Sequence, residues 1–279
     1  MGQKQNRVIS FAQLIIKGRS GYVLRPSKTN PHVKRWQRAE SLPEAQGRPQ
    51  DGFPLALDAL KRTGRPPSGT TPAAYTASDG QGHTYLVKPR LPLPAIQGEI
   101  IAPAVARAVG LQAPANVGVL DRGRVVGIAS PIEPGLSPLQ DVWEHPQALL
   151  ALSIKEAVGD SDFEGQRGDN ILLDSTSRLW VLDFADVDEE IIGGWLRGKP
   201  EGTFNLTTLY AEYYPQQIEG LIEGWKKALR APSTTFENPS VRLIGDPRRL
   251  QEALEATARR ITLQFGPGTK TEQVRLRRL

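Results

Sequence analysis

The chain has 279 residues, with 35 Lys and Arg against 30 Asp and Glu, a formal net charge of +5. It contains no cysteine, which excludes disulfides, thiol nucleophiles and zinc–thiolate sites, and its histidines, His32, His83 and His145, are too scattered to suit a zinc enzyme or a Ser-His-Asp hydrolase. The length suits one two-lobed domain plus an extension; no apolar run approaches the roughly 20 residues that cross a bilayer, and MGQKQNRVIS lacks a signal peptide's apolar segment, so a cytoplasmic protein is expected.

Residues 1–52 read as a basic extension. Over the first fifty of them Lys4, Arg7, Lys17, Arg19, Arg25, Lys28, Lys34, Arg35, Arg38 and Arg48 face only Glu40 and Glu44, and Tyr22 and Trp36 interleave with them. Such a segment can bind nucleic acid, since cations neutralise phosphates and rings stack on bases, or it can pack on the protein's own core or on a large assembly. Val8, Phe11, Leu14 and Ile15 are spaced for one short amphipathic helix. After the linker-like QGRPQDG, Phe53–Arg62 predicts a short helix, and residues 53–134 as a whole predict a smaller, strand-rich lobe.

Within that lobe the chain reads SGTTP at Ser68–Pro72, a strand at Ala74–Ala77, a turn at Asp79–Gly82 and a strand at Thr84–Pro89 that ends in Lys88. A helix is expected over Gln97–Leu111, with Glu99 in its first turn and Ile100, Ile101, Val105 and Val109 on its apolar face. Pro103 either kinks that helix or marks its start. Ile128–Gly135 has the character of a hinge into residues 135–279, a helical lobe. Helices are expected at His145–Val158, at Thr207–Leu229 with a break at Pro215, and at Pro247–Leu263.

Gly165–Phe184 carries the most information. Two apolar runs, Ile171–Leu173 and Leu179–Leu182, flank a turn at Asp174–Ser177, and a hairpin would bring Asn170 and Asp183 to one end. An amide oxygen and a carboxylate placed there can share a Mg²⁺ ion. The acidic run Asp186, Asp188, Glu189 and Glu190 that follows reads as a second metal site or a solvated surface.

Taken in order, SGTTP, YLVKP (Tyr85–Pro89), GEIIAPAVARAVGLQAPANVGVL (Gly98–Leu120), GDNILLD (Gly168–Asp174) and LWVLDF (Leu179–Phe184) resemble the HipA-like kinases and, more distantly, the phosphoinositide kinases. The resemblance covers roughly Phe53 to Ala228. It implies an α+β, two-lobed protein-kinase-like fold that binds ATP and Mg²⁺ and transfers the γ-phosphate to a protein hydroxyl. Lys88, paired with Glu99, would neutralise the α/β-phosphates. Ser68, Gly69, Thr70 and Thr71 would line the β/γ-phosphates, and Asn170 and Asp183 would hold the metal.

The sequence departs from the family at the catalytic Asp, which usually lies five residues before the metal-binding Asn; Gly165 stands in that place. Asp160, Asp162 and Glu164 lie nearby, and a loop insertion of three residues would restore Asp162 as the group that orients the hydroxyl. Glu164 is the second choice. The third is a missing base, which leaves a nucleotide-binding pseudokinase that works through its basic arm.

Overall fold

The computed structural model describes residues 52–64, 73–165 and 168–268, together with the backbone of two strands at 22–26 and 34–38. These strands, β1 (Tyr22–Pro26) and β2 (Lys34–Arg38), pair antiparallel with Leu24 opposite Trp36, inside the stretch read as a basic extension. The helix expected over Val8 to Ile15 and the SGTTP loop fall outside the described residues.

The smaller lobe is a six-stranded sheet. Its spatial order is β3 (Leu55–Ala56), β7 (Val117–Asp121), β8 (Arg124–Pro131), β6 (Thr84–Pro89), β5 (Tyr75–Ser78) and β4 (Lys61–Gly64). Neighbours are antiparallel except β3 and β7. The helix expected at Phe53–Arg62 is not there: β3, one 3₁₀ turn at Leu57–Ala59 and β4 take its place. Leu55, Leu57 and Leu60 pack on the sheet instead of forming a helical stripe. Strand alternation assigns the two faces. Tyr85 and Val87 point into a small core with Ala77, Val117, Val119 and Ala129. Lys88 therefore points to the opposite face.

That face meets α1 (Leu93–Val109). The helix begins four residues before the expected Gln97, because Pro94 suits a first turn that needs no N–H donors. Glu99 consequently sits in the second turn. Pro103 neither starts the helix nor ends it; α1 runs through it. The backbone of α1 at Gly98 lies directly on the segment after Asp183. A Cβ at Gly98 would come 2.4 Å from the Phe184 carbonyl oxygen and 2.6 Å from Val187, so a side chain has no room.

The larger lobe is helical: α2 (Ala148–Val158), α3 (Glu189–Leu196), α4 (Asn205–Tyr213), α5 (Ile218–Ala228), α6 (Pro239–Ile244) and α7 (Pro247–Phe265). A 3₁₀ turn at Pro215–Gln217 separates α4 from α5, as the proline requires. Buried Leu250, Ala253, Leu254, Thr257, Ala258 and Ile261 give α7 its inward stripe. Trp195 and Trp225 are fully enclosed, and each satisfies its indole N–H, on the Ala157 carbonyl at 2.7 Å and the Ser153 hydroxyl at 2.8 Å.

The acidic run after Asp183 proves to be a helix start. The Asp188 carboxylate accepts the amides of Glu190 and Ile191, and Glu189 and Glu190 fill the first turn of α3, where negative charge favours the helix dipole. A three-stranded sheet of β9 (Ser137–Pro138), β10 (Ile171–Leu173) and β11 (Leu179–Val181) completes this lobe. The lobes are joined at Ser240, whose hydroxyl accepts the Gly118 amide of β7 at 3.0 Å and donates to the Gly52 carbonyl at 2.7 Å. A strand-rich lobe thus precedes a helical one along the chain, with α1 packed against both. No described helix is long and apolar enough to cross a membrane.

Candidate active site

β10 and β11 pair antiparallel, with Ile171 opposite Val181. The Leu182 amide donates to the Asn170 carbonyl at 2.8 Å, so Asn170 and Asp183 leave the same end of the hairpin. The turn is built by Asp174. Its carboxylate accepts the Thr176 and Arg178 amides, the Thr176 hydroxyl and the Trp180 indole N–H. These bonds hold Asp174 well below the usual carboxylate range.

The centre of the site is a three-residue cluster. The Lys88 ammonium stands 2.5 Å from Glu99 Oε1 and 2.8 Å from Asp183 Oδ1. Lys88 and Glu99 are buried, at 7 % and 2 % exposure, whereas the Asp183 side chain keeps 48 % of its surface open. One ammonium therefore ties the strand lobe, α1 and the hairpin together.

Burial works against the charge of Lys88, but Glu99 and Asp183 outweigh it and raise its pKa. Burial raises Glu99 above the ordinary carboxylate range despite the ammonium. Burial also works to raise Asp183, but Lys88, with Lys155 behind it, wins and holds it low. The site thus keeps a lysine cation and an exposed carboxylate anion at neutral pH.

Glu99 is itself held by a residue that the sequence did not single out. Pro103 has no N–H, so it leaves the Glu99 carbonyl four residues back without its helical donor. The Asn116 amide fills that gap, donating to the Glu99 carbonyl at 2.7 Å and to Glu99 Oε2 at 3.0 Å. The helix-breaking residue is tolerated because a neighbouring side chain completes the ladder. The same side chain aims the carboxylate.

Lys155 is the second such residue. Fully buried in α2, its ammonium donates to the Asp183 carbonyl, stands 3.1 Å from Asp160 Oδ2, and lies 4.5 Å from the Phe184 ring centroid. Asp183 has φ 51°, in the left-handed region that costs most side chains about 1 to 2 kcal/mol, and the bond from Lys155 helps to hold it there. A lysine in the otherwise apolar ALLALSI run and its continuation was the available signal, since a cation on a core-facing helix position needs a partner.

Asp160 passes the link to the loop before the hairpin. Its Oδ1 accepts the Asp162 amide at 2.9 Å; Asp162 Oδ1 accepts the Gly165 amide at 3.0 Å; and Asn170 Nδ2 donates to the Asp162 carbonyl at 2.9 Å. Asp162 is exposed, and Glu164 is engaged through its backbone carbonyl, which accepts the Asn170 amide. Asp162, Asn170 and Asp183 are therefore held in one connected loop system, with Lys88 and Glu99 joined to it through Asp183. Ser68, Gly69, Thr70 and Thr71 lie outside the described residues.

The donor set suits a Mg²⁺ ion. The Asn170 amide nitrogen is spent on the Asp162 carbonyl, which leaves the amide oxygen for a cation. Asp183 offers an exposed, ionised carboxylate. Among the described residues no three His, Cys, Asp or Glu side chains gather as a metal cluster; one carboxylate and one amide lie below that count.

No family model matches the chain, and no curated protein does. Among solved structures, a MAP kinase from Leishmania major aligns over 78 % of this chain and 82 % of its own, at 14 % identity and a TM-score of 0.28. An overlap that low adds no weight, and the kinase-like reading stands on the arrangement of the chain's own parts.

Proposed function

We propose that the chain is an ATP- and Mg²⁺-dependent phosphotransferase, similar to HipA-like kinases, that acts on a protein hydroxyl. The observation that carries the reading is the buried Lys88, held between Glu99 and Asp183. A lysine enclosed to this degree usually has one partner that neutralises it. Here two carboxylates fix it, and the exposed Asp183 side chain leaves one side of the cluster open, an arrangement that can meet phosphate oxygens.

In this reading Lys88 neutralises the α/β-phosphates, and Asn170 and Asp183 are the metal ligands. Bound Mg²⁺ would offset charge on the β- and γ-phosphates. The acceptor hydroxyl, oriented by Asp162, gives its proton to that carboxylate. Its oxygen bonds to the γ-phosphorus as the bond to the β–γ bridging oxygen breaks, and ADP leaves. Ser68 to Thr71 is the proposed phosphate loop, and the basic residues before 53 are the proposed contact to nucleic acid or a large assembly.

The test is incubation of purified protein with Mg²⁺ and γ-labelled ATP, read by label transfer and intact mass, beside Asp162→Asn and Asp183→Ala. Transfer that both variants lose, with ATP still stabilising Asp162→Asn against heat, supports the reading. ATP stabilisation without any transfer assigns a nucleotide-binding module. Absence of both removes the kinase reading.

A further inference from the structure

Helix α4 is amphipathic in the wrong sense for its position. The face turned into the protein carries Thr207 and Ala211, both fully buried. The face turned to solvent carries Leu206, Leu209 and Tyr213, an i, i+3, i+7 spacing that normally marks a core stripe, while Tyr210 is half-buried and packs against the core. Leu206 is 46 % exposed, Leu209 45 % and Tyr213 64 %. Scattered exposed apolar residues need no explanation, but a full stripe on one helix does.

The stripe does not stop at the helix. Tyr210 stacks on Trp143 with centroids 4.0 Å apart and planes 10° apart, and Tyr214 stacks on the same indole at 5.3 Å. Trp143 in turn meets the Phe163 ring at 5.2 Å. Phe163 is the residue after Asp162. A continuous line of half-buried rings therefore leads from α4 to the proposed acceptor-orienting carboxylate.

Within the described segments that form this line the exposed charges have one sign. The segments that form it, residues 141–145, 160–165 and 201–214, expose Asp141, Glu144, Asp162, Glu164, Glu201 and Glu212 and contain no lysine or arginine. Arg260 comes near the start of α4, but it lies 4.8 Å from the Phe204 ring, on the side that packs into the core. A surface of this sign repels nucleic-acid phosphates. A neutral sugar would use the rings and leave the carboxylates idle. A peptide with an apolar anchor and flanking cations uses both.

We propose that the exposed face of α4 and the ring stack leading to Asp162 form the docking surface for the acceptor, a protein segment with its hydroxyl between an apolar anchor and lysine or arginine residues. This assignment rests on the phosphotransferase reading for its place beside Asp162. The rings anchor the apolar side chain, and the carboxylates set register through long-range attraction.

The experiment uses the full chain and two fluorescein-labelled synthetic peptides. One carries a central serine flanked by arginine, leucine and phenylalanine; in the other every arginine is replaced by glutamate. Anisotropy is read for wild type and for Leu209→Gln/Tyr213→Ser, whose two sites are exposed and whose fold is checked by melting temperature. The expected result is binding of the basic peptide, about tenfold weaker in the variant and at least about tenfold weaker for the acidic peptide, with attraction that fades as salt rises. Equal binding of both peptides, binding untouched by the variant, or binding of neither overturns the proposal. So does a wild-type dimer that the variant abolishes, which would make the face a self-association surface. ATP-induced stabilisation is measured in parallel on wild type. Its absence would remove the phosphotransferase reading and leave the peptide result interpretable.

Discussion

The Lys155 ammonium and the Asp160 carboxylate face each other at 3.1 Å with no exposed surface on either side chain. The pair joins the Asp183 backbone to the loop that carries Asp162, so both halves of the candidate site hang from one buried contact. Lys155→Met removes the cation and leaves Asp160 enclosed without a partner. The expected loss of stability is about 3 to 5 kcal/mol, the range for breaking a buried pair from one side. Lys155→Met/Asp160→Asn is expected to recover part of it. Urea unfolding of the four proteins of that cycle gives the coupling directly, and simple additivity would refute it.

The same pair sets a pH dependence. Burial raises the Asp160 pKa from 3.8 to about 6, with Lys155 opposing the shift. A carboxyl whose folded pKa lies above its unfolded value binds its proton more tightly in the folded state. Its contribution to stability is complete below about pH 4 and is lost as pH rises through 6. Asp183, held low, acts in the opposite sense: its contribution is present above its unfolded pKa and is lost on acidification. Wild-type stability minus that of Asp160→Asn, followed from pH 4 to 7, is therefore expected to fall as pH rises. A flat difference would show that Asp160 titrates normally in the folded protein.

Asn116 completes a helix that Pro103 interrupts, and this gives a second cycle. Asn116→Ala strips the donor from the Glu99 carbonyl and from its carboxylate, at an expected cost of about 1 to 3 kcal/mol. Pro103→Ala restores an N–H to the Glu99 carbonyl, so Pro103→Ala/Asn116→Ala is expected to be more stable than Asn116→Ala alone. Thermal unfolding decides it; no recovery in the double variant would mean that Asn116 acts on the carboxylate alone.

Much of this was readable from the chain, and the misses have physical causes. The strand that carries Lys88 was legible, and the two apolar runs placed Asn170 and Asp183 together, because strand runs and hairpin pairing are local. Asn116 was not readable, because its partner is a carbonyl freed by a proline thirteen residues earlier in the chain. The acidic run after Asp183 was read as a second metal site or a solvated surface; its residues are exposed, and its place at the start of α3 was not legible because carboxylates in a helix's first turn and carboxylates around a metal look alike until the helix is seen. The segment Phe53–Arg62 has too few residues for helical and strand periods to separate.

Glu156 supplies the last test. Its carboxylate accepts the Leu206 and Thr207 amides at 2.7 Å and the Thr207 hydroxyl at 2.6 Å, so it caps α4 from α2, in place of the missing local cap at Phe204. Glu156→Ala is expected to cost about 1 to 2 kcal/mol. Because α4 carries the exposed apolar stripe, faster amide hydrogen exchange over residues 205–213 should accompany the loss; unchanged exchange there would show that packing alone holds the helix.

Thirteen of the seventeen residues of α1 are buried, and its apolar side chains belong to the core of the helical lobe. A helix enclosed in this way cannot swing outward without opening the largest apolar interior in the molecule. Separating Lys88 from Glu99 would therefore take a movement of the strand lobe, with α1 staying in place. A rearrangement of the candidate site would have to begin on the sheet or at the hairpin, the two sides of the Lys88 cluster that α1 does not supply.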